Sequence, residues 1–201
     1  MEYKLNSLPI APVFSERTRK ELKIYYDWYI GSITDRTEIL VNEIRKKEKY
    51  KSVSFDYAPE TLLPLGEWFA SVVETRQRTE SELQEIVSSL KFPIEVPKEE
   101  LTNKTFSVAL DVGMYLSQVF LKKFDDLNWT QTWGRKDSVD YGQPVLSPFQ
   151  KRVFNPTRMM VVQAYGVSRG SKNSNSLSEL FNTWTQMKLT GEFDKAIRVA
   201  P

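Results

Sequence analysis

The sequence predicts a predominantly helical α+β fold, and three observations lead to it. Apolar residues recur at helical spacing in about six separate stretches. Between residues 127 and 146 that period gives way to the alternation of a strand. The 201 residues are 40% hydrophobic and include 5 Trp, 9 Tyr and 11 Phe, enough for a core without staples. A chain of this length buries roughly 70% of its unfolded surface, so one globular domain over residues 1–201 is expected.

The first 14 residues contain Pro9 and Pro12 and no helical period, and they read as an extended arm. A helix is expected from about Glu16 to Ile30 on Leu22, Tyr25, Tyr26, Tyr29 and Ile30, with Gly31 as its stop signal. A second is expected from Asp35, which has capping-box spacing to Glu38, through Ile39, Leu40 and Ile44 to Arg45, Lys46, Lys47 and Lys49, where cations oppose the dipole. A third opens at Pro59 or Glu60, or nearer Leu63 given Pro64, and runs to about Gln77. Thr79 and Glu82 form a capping box for a short helix through Leu90, and residues 91–101, with Pro93 and Pro97, read as an extended connection.

The stretch 105–123 is apolar over most of its circumference, which marks a central helix with neighbours on several sides. Ala109, Gly113 and Ser117 stack as a strip of small residues; close packing would justify Gly113, which costs about 1 kcal/mol of helix propensity. Leu127, Trp129, Gln131 and Trp133 alternate toward a strand ending at Gly134, and Pro144-Val145-Leu146 is a second short strand, together a small antiparallel hairpin. Asn155-Pro156 suits a helix opening, although Met159–Tyr165 fits helix or strand. Residues 166–174 are a Ser/Gly/Lys/Asn loop, and Ser176 with Glu179 has capping-box spacing for a last helix to about Leu189. The tail from Thr190 is polar and expected to fray.

Composition excludes several chemistries. With 0 Cys there is no disulfide framework and no thiolate metal site, as suits a reducing compartment. With 0 His the commonest general base and the Ser-His and Cys-His nucleophile systems are missing, so an enzyme here would have to run on carboxylates, Lys, Tyr or Arg. No secretory signal is visible at the start and no run of about 18 apolar residues occurs, so a cytoplasmic location is expected. The net charge of +2 is unevenly placed: residues 51–100 hold 5 basic and 10 acidic side chains, and residues 151–201 hold 8 and 3. Either the two segments meet and neutralise each other, or they polarise the surface toward a charged partner.

Few residue groups suggest chemistry. Asp111, inside the apolar helix, either faces solvent with Tyr115, Gln118 and Lys122, or joins a buried network, or acts as a catalytic carboxylate. Asp125-Asp126 and Asp137/Asp140 lack the ligand spacing of a calcium or magnesium site, and no metal or cofactor is expected. Gly166 to Gly170 lacks the spacing of a phosphate loop. Arg45, Lys46, Lys47, Lys49 and Lys51, with Tyr50 interleaved, are either a solvated helix end or a nucleic-acid contact. Trp129, Trp133 and Tyr141 either cap the core or anchor an interface.

The run Ala109-Leu110-Asp111-Val112-Gly113-Met114-Tyr115-Leu116, then Asn128-Trp129 and Gln143-Pro144-Val145, resembles a helix–Trp strand–Pro strand arrangement in small uncharacterised bacterial proteins, some of them associated with toxin-immunity loci. The resemblance spans about 40 residues and implies a cytoplasmic α+β module that binds another protein, with no catalytic residue to carry over. The expected function is therefore a non-enzymatic protein-binding module of immunity or antitoxin type, with Trp129, Trp133, Tyr141, Asp111 and Tyr115 as candidate binding residues. Two alternatives stand beside it: a carboxylate-dependent hydrolase of sugars or phosphate esters through Asp111, Asp126 and Asp140, and a nucleic-acid binder through residues 45–51.

Overall fold

The computed structural model describes residues 3–90 and 92–192. Among them are six helices and two small antiparallel sheets, a predominantly helical α+β architecture. Three helices form its frame. α1 (Arg19–Ile44) and α5 (Pro156–Ser168) both pack on α4 (Asn103–Lys123), which is buried at every position from Ser107 to Ser117. α4 is thus the central helix its all-round apolarity predicts.

α1 is one continuous helix where the sequence suggests two. Its buried stripe (Leu22, Tyr25, Tyr29, Ile33, Leu40 and Ile44) keeps its phase across Gly31, which is exposed and where an added Cβ would meet open space. Packing of that stripe outweighs the modest propensity cost of a glycine. The true start is Thr18, whose hydroxyl accepts from Glu21 N while Glu21 accepts from Thr18 N. Asp35 and Glu38 are mid-helix, and Arg45 to Lys49 follow the helix instead of ending it.

α2 (Leu62–Val72) begins after a 3₁₀ turn at Pro59–Thr61 and stops before the expected Gln77. The reason is strand pairing: β1 (Thr75–Gln77) runs antiparallel to β2 (Glu99–Leu101), drawn from the expected extended connection. Between them α3 (Glu80–Ser89) carries the predicted Thr79–Glu82 capping box.

The expected hairpin is present as β3 (Asn128–Gln131) and β4 (Pro144–Phe149), with Trp129 opposite Leu146, and β5 (Arg152–Phe154) adds a third strand. β3 ends three residues short of Gly134, although an isolated bridge joins Thr132 to Tyr141. Residues 156–168 are helical, with the Asn155 side chain accepting from Arg158 N at 3.0 Å and Pro156 in the first turn. α6 (Ser176–Thr190) lacks the expected capping box: the Ser176 hydroxyl accepts from Asn173 N at 3.0 Å, upstream of the helix. Gly191, at φ 78°, ends it in the left-handed region. Most of the expected frayed tail lies outside the described residues.

The small-residue strip on α4 serves as a contact surface. A Cβ on Gly113 would stand 3.1 Å from the Pro156 carbonyl, so the start of α5 would have to give by a few tenths of an ångström to admit a side chain there. Beyond α4, Phe120, Phe149, Phe154, Phe181 and Trp184 pack ring on ring at centroid distances of 4.8–5.8 Å, joining α4, the sheet and α6. No helix among the described residues is long and apolar enough to cross a membrane.

Candidate functional site

Asp111 is fully buried, which overturns the solvent-facing reading of it. Arg36 approaches from α1, donating through Nε to Oδ1 at 2.9 Å and through Nη2 to Oδ2 at 2.6 Å. The N-terminal arm supplies the rest: the Tyr3 hydroxyl donates to Oδ2, and Asn6 Nδ2 donates to Oδ1 at 3.1 Å. Arg36 also donates to the Lys4 carbonyl, and Asn6 N donates to the Ser107 hydroxyl. Burial pushes the Asp111 carboxyl upward, against the hydrogen bonds from Arg36, Tyr3 and Asn6 that favour its charged form. With its carboxylate lone pairs taken up by these donors, Asp111 clasps the arm to α1 and α4. Tyr115 lies in a separate network, with its hydroxyl 2.8 Å from the Thr61 hydroxyl and accepting from Tyr57 N at 3.2 Å.

The aromatic candidates divide in the same way. Trp129 is half-buried, edge-on to Tyr29 at 5.4 Å, and Tyr141 is buried. Trp133 is 40% exposed, lies 6.0 Å from Tyr141 and carries the Arg19 guanidinium over its ring. So Trp133 and Tyr141 meet, Trp129 belongs to a different cluster, and only Trp133 offers much surface.

The basic segment is tied down by its neighbours. Lys46 pairs with Glu43, Lys49 with Glu67 and Lys51 with Glu48; Lys47 donates to the Ser71 hydroxyl and Arg45 to the Val53 carbonyl. Tyr50 is buried and presents no face for stacking. The three carboxylates of the hydrolase reading are held apart by different cations: Asp111 by Arg36, Asp126 by Lys188 and Asp140 by Arg158.

One feature escaped the sequence reading. Residues 75–101 leave the frame as an excursion in which α3 buries none of its side chains. Of its apolar residues, Leu83, Ile86 and Leu90 are partly buried and Val87 is exposed. Val87 is 56% exposed, and the return segment adds Phe92 at 75% and Ile94 at 63%. The base of the excursion is fixed: Arg76 forks onto both Glu82 oxygens at 3.0 and 2.6 Å and also pairs with Glu100, which pairs with Arg78. Glu80, Glu82 and Glu85 give α3 three negative charges with no positive one. The signal in the sequence was a short amphipathic helix between two prolines and a capping box, inside the most acidic stretch of the chain.

Comparison with protein-family models, with curated proteins and with solved structures gives no match for this chain.

Proposed function

We propose that the chain is a non-enzymatic protein-binding module whose contact surface is the 75–101 excursion. The observation that supports this reading is the exposure of Val87 on α3, a helix with no buried side chain, and of Phe92 and Ile94 on the segment that follows it. Three strongly exposed apolar side chains close together in the sequence leave apolar surface in water that a partner would cover. Fully burying each such side chain is worth about 1.5–3 kcal/mol before association costs. The matching partner presents an apolar groove for one face of a short helix, with a basic rim for Glu80 and Glu85. An immunity-type role, implied by the resemblance over residues 109–146, is one form of this reading, with a basic effector as partner.

Affinity capture from the native host at low salt tests it. A protein retained by the chain, and released by salt, should be lost from a Val87→Ser, Phe92→Ser, Ile94→Ser variant that keeps the parent's melting temperature. Equal retention by parent and variant would refute the assignment.

A further inference from the structure

We propose that a cavity of about 530 Å³ between the N-terminal arm, α1, α4 and α5 binds an uncharged, largely hydrocarbon molecule bearing a hydrogen-bond acceptor. This site is distinct from the excursion and does not depend on it.

Its volume falls within the range of about 300–1,000 Å³ typical of small-molecule sites. The walls are apolar: Leu8 and Phe14 from the arm, Tyr25 from α1, Phe106 and Leu110 from α4, and Val161 from α5. None of the described residues that line it is an acid or a base, so a charged ligand would lose its hydration without gaining a counter-ion. That selects a neutral ligand.

The polar groups define the other end. Gln143 is committed, donating to the Val139 carbonyl at 2.7 Å and accepting from Asn155 at 2.9 Å. Two donors remain. Tyr25 is 4% exposed and lines the cavity, and its hydroxyl makes no hydrogen bond to the described residues. Burial raises its pKa, so it stays a protonated donor at any physiological pH. The Ser107 hydroxyl accepts from Asn6 N at 3.0 Å, which leaves its own hydrogen without an acceptor among the described residues. A hydroxyl at the cavity wall without a protein acceptor is left to water, and a carbonyl, ether or hydroxyl oxygen on the ligand would take that water's place. The clasp of Tyr3 and Asn6 on Asp111 holds the arm, and therefore one wall of the cavity, in place.

Titration of the full chain with Nile red, a neutral dye with a carbonyl acceptor, provides the test. We expect a saturable, one-to-one rise in fluorescence that persists in the Val87→Ser, Phe92→Ser, Ile94→Ser variant. It should disappear in Val161→Trp and in Leu8→Trp, which fill the cavity from α5 and from the arm. Tyr25→Phe should weaken it by about two- to tenfold, the loss of one hydrogen bond. Hexadecanol should displace the dye, and palmitate should compete at least about tenfold less well than hexadecanol because its carboxylate finds no counter-ion. The proposal is overturned by a signal that fails to saturate, by one unchanged in both tryptophan variants or in Tyr25→Phe, or by palmitate competing as well as hexadecanol.

Discussion

At the scale of single residues, the Asp111–Arg36 pair dominates because both partners are shielded from water. Two buried charges are tolerable only together, since either one alone keeps its desolvation cost without its attraction. Asp111→Asn is therefore expected to destabilise the fold by about 3–5 kcal/mol in denaturant unfolding, and the double variant Asp111→Leu, Arg36→Met by clearly less. Additive losses would mean that the two groups do not act as a pair. Two glycines give a contrasting forecast. Gly31→Ala meets open space and should raise stability by about 0.5–1 kcal/mol, through the gain in helix propensity. Gly113→Ala gains the same propensity but drives a methyl against the Pro156 backbone, and a net loss of about 1–3 kcal/mol is expected. Thermal unfolding of the two variants side by side decides the matter. The sequence marked Asp111 as anomalous, but its environment depends on Tyr3, Asn6 and Arg36, 75 to 108 residues away, and no local pattern encodes such a meeting.

At the scale of elements, local chemistry was legible where it was sufficient and misleading where packing overruled it. The central helix, the Trp-to-Pro hairpin and the Asn155-Pro156 helix start all follow from period and capping. Gly31 as a stop, and Gln77 as a helical residue, fail because a continuous buried stripe and a strand partner 22 residues downstream decide those positions. Ser176 fails differently, as its hydroxyl is occupied upstream. The capping of α3 carries a pH prediction. Arg76, then the Thr79 backbone N–H, hold the Glu82 carboxyl at about 2, below its ordinary 4.5. A carboxyl lowered in the fold stabilises it above its unfolded pKa, and that stabilisation fades as pH falls from 4.5 through 2. Protection factors from hydrogen exchange, corrected for the intrinsic pH dependence of exchange, should fall at residues 80–89 across that window while α4 keeps its own. In Glu82→Gln the protection of the same amides should be lower throughout and change little with pH between those limits.

At the scale of the whole molecule, two parts differ in how they are held. α1, α4, α5 and the aromatic cluster share one set of buried contacts, whereas α3 is attached through β1, β2 and a few partly exposed ion pairs. Elements with few buried contacts open at low free energy, independently of global unfolding. Amides of α3 should therefore exchange first and those of α4 last. The same separation makes the excursion removable. Gln77 and Glu99 stand opposite each other at its neck, so an Asn-Gly turn replacing residues 78–98 would close β1 and β2 into a hairpin of the favoured type. Leu101, buried at the base, keeps its place because Thr75 still pairs with it. The shortened chain should melt within a few degrees of the parent and keep its Nile red site, but capture no partner. A large loss of melting temperature would show that α3 supports the fold; unaltered partner capture would move the interface elsewhere, with the exposed Trp133 as the next residue to change.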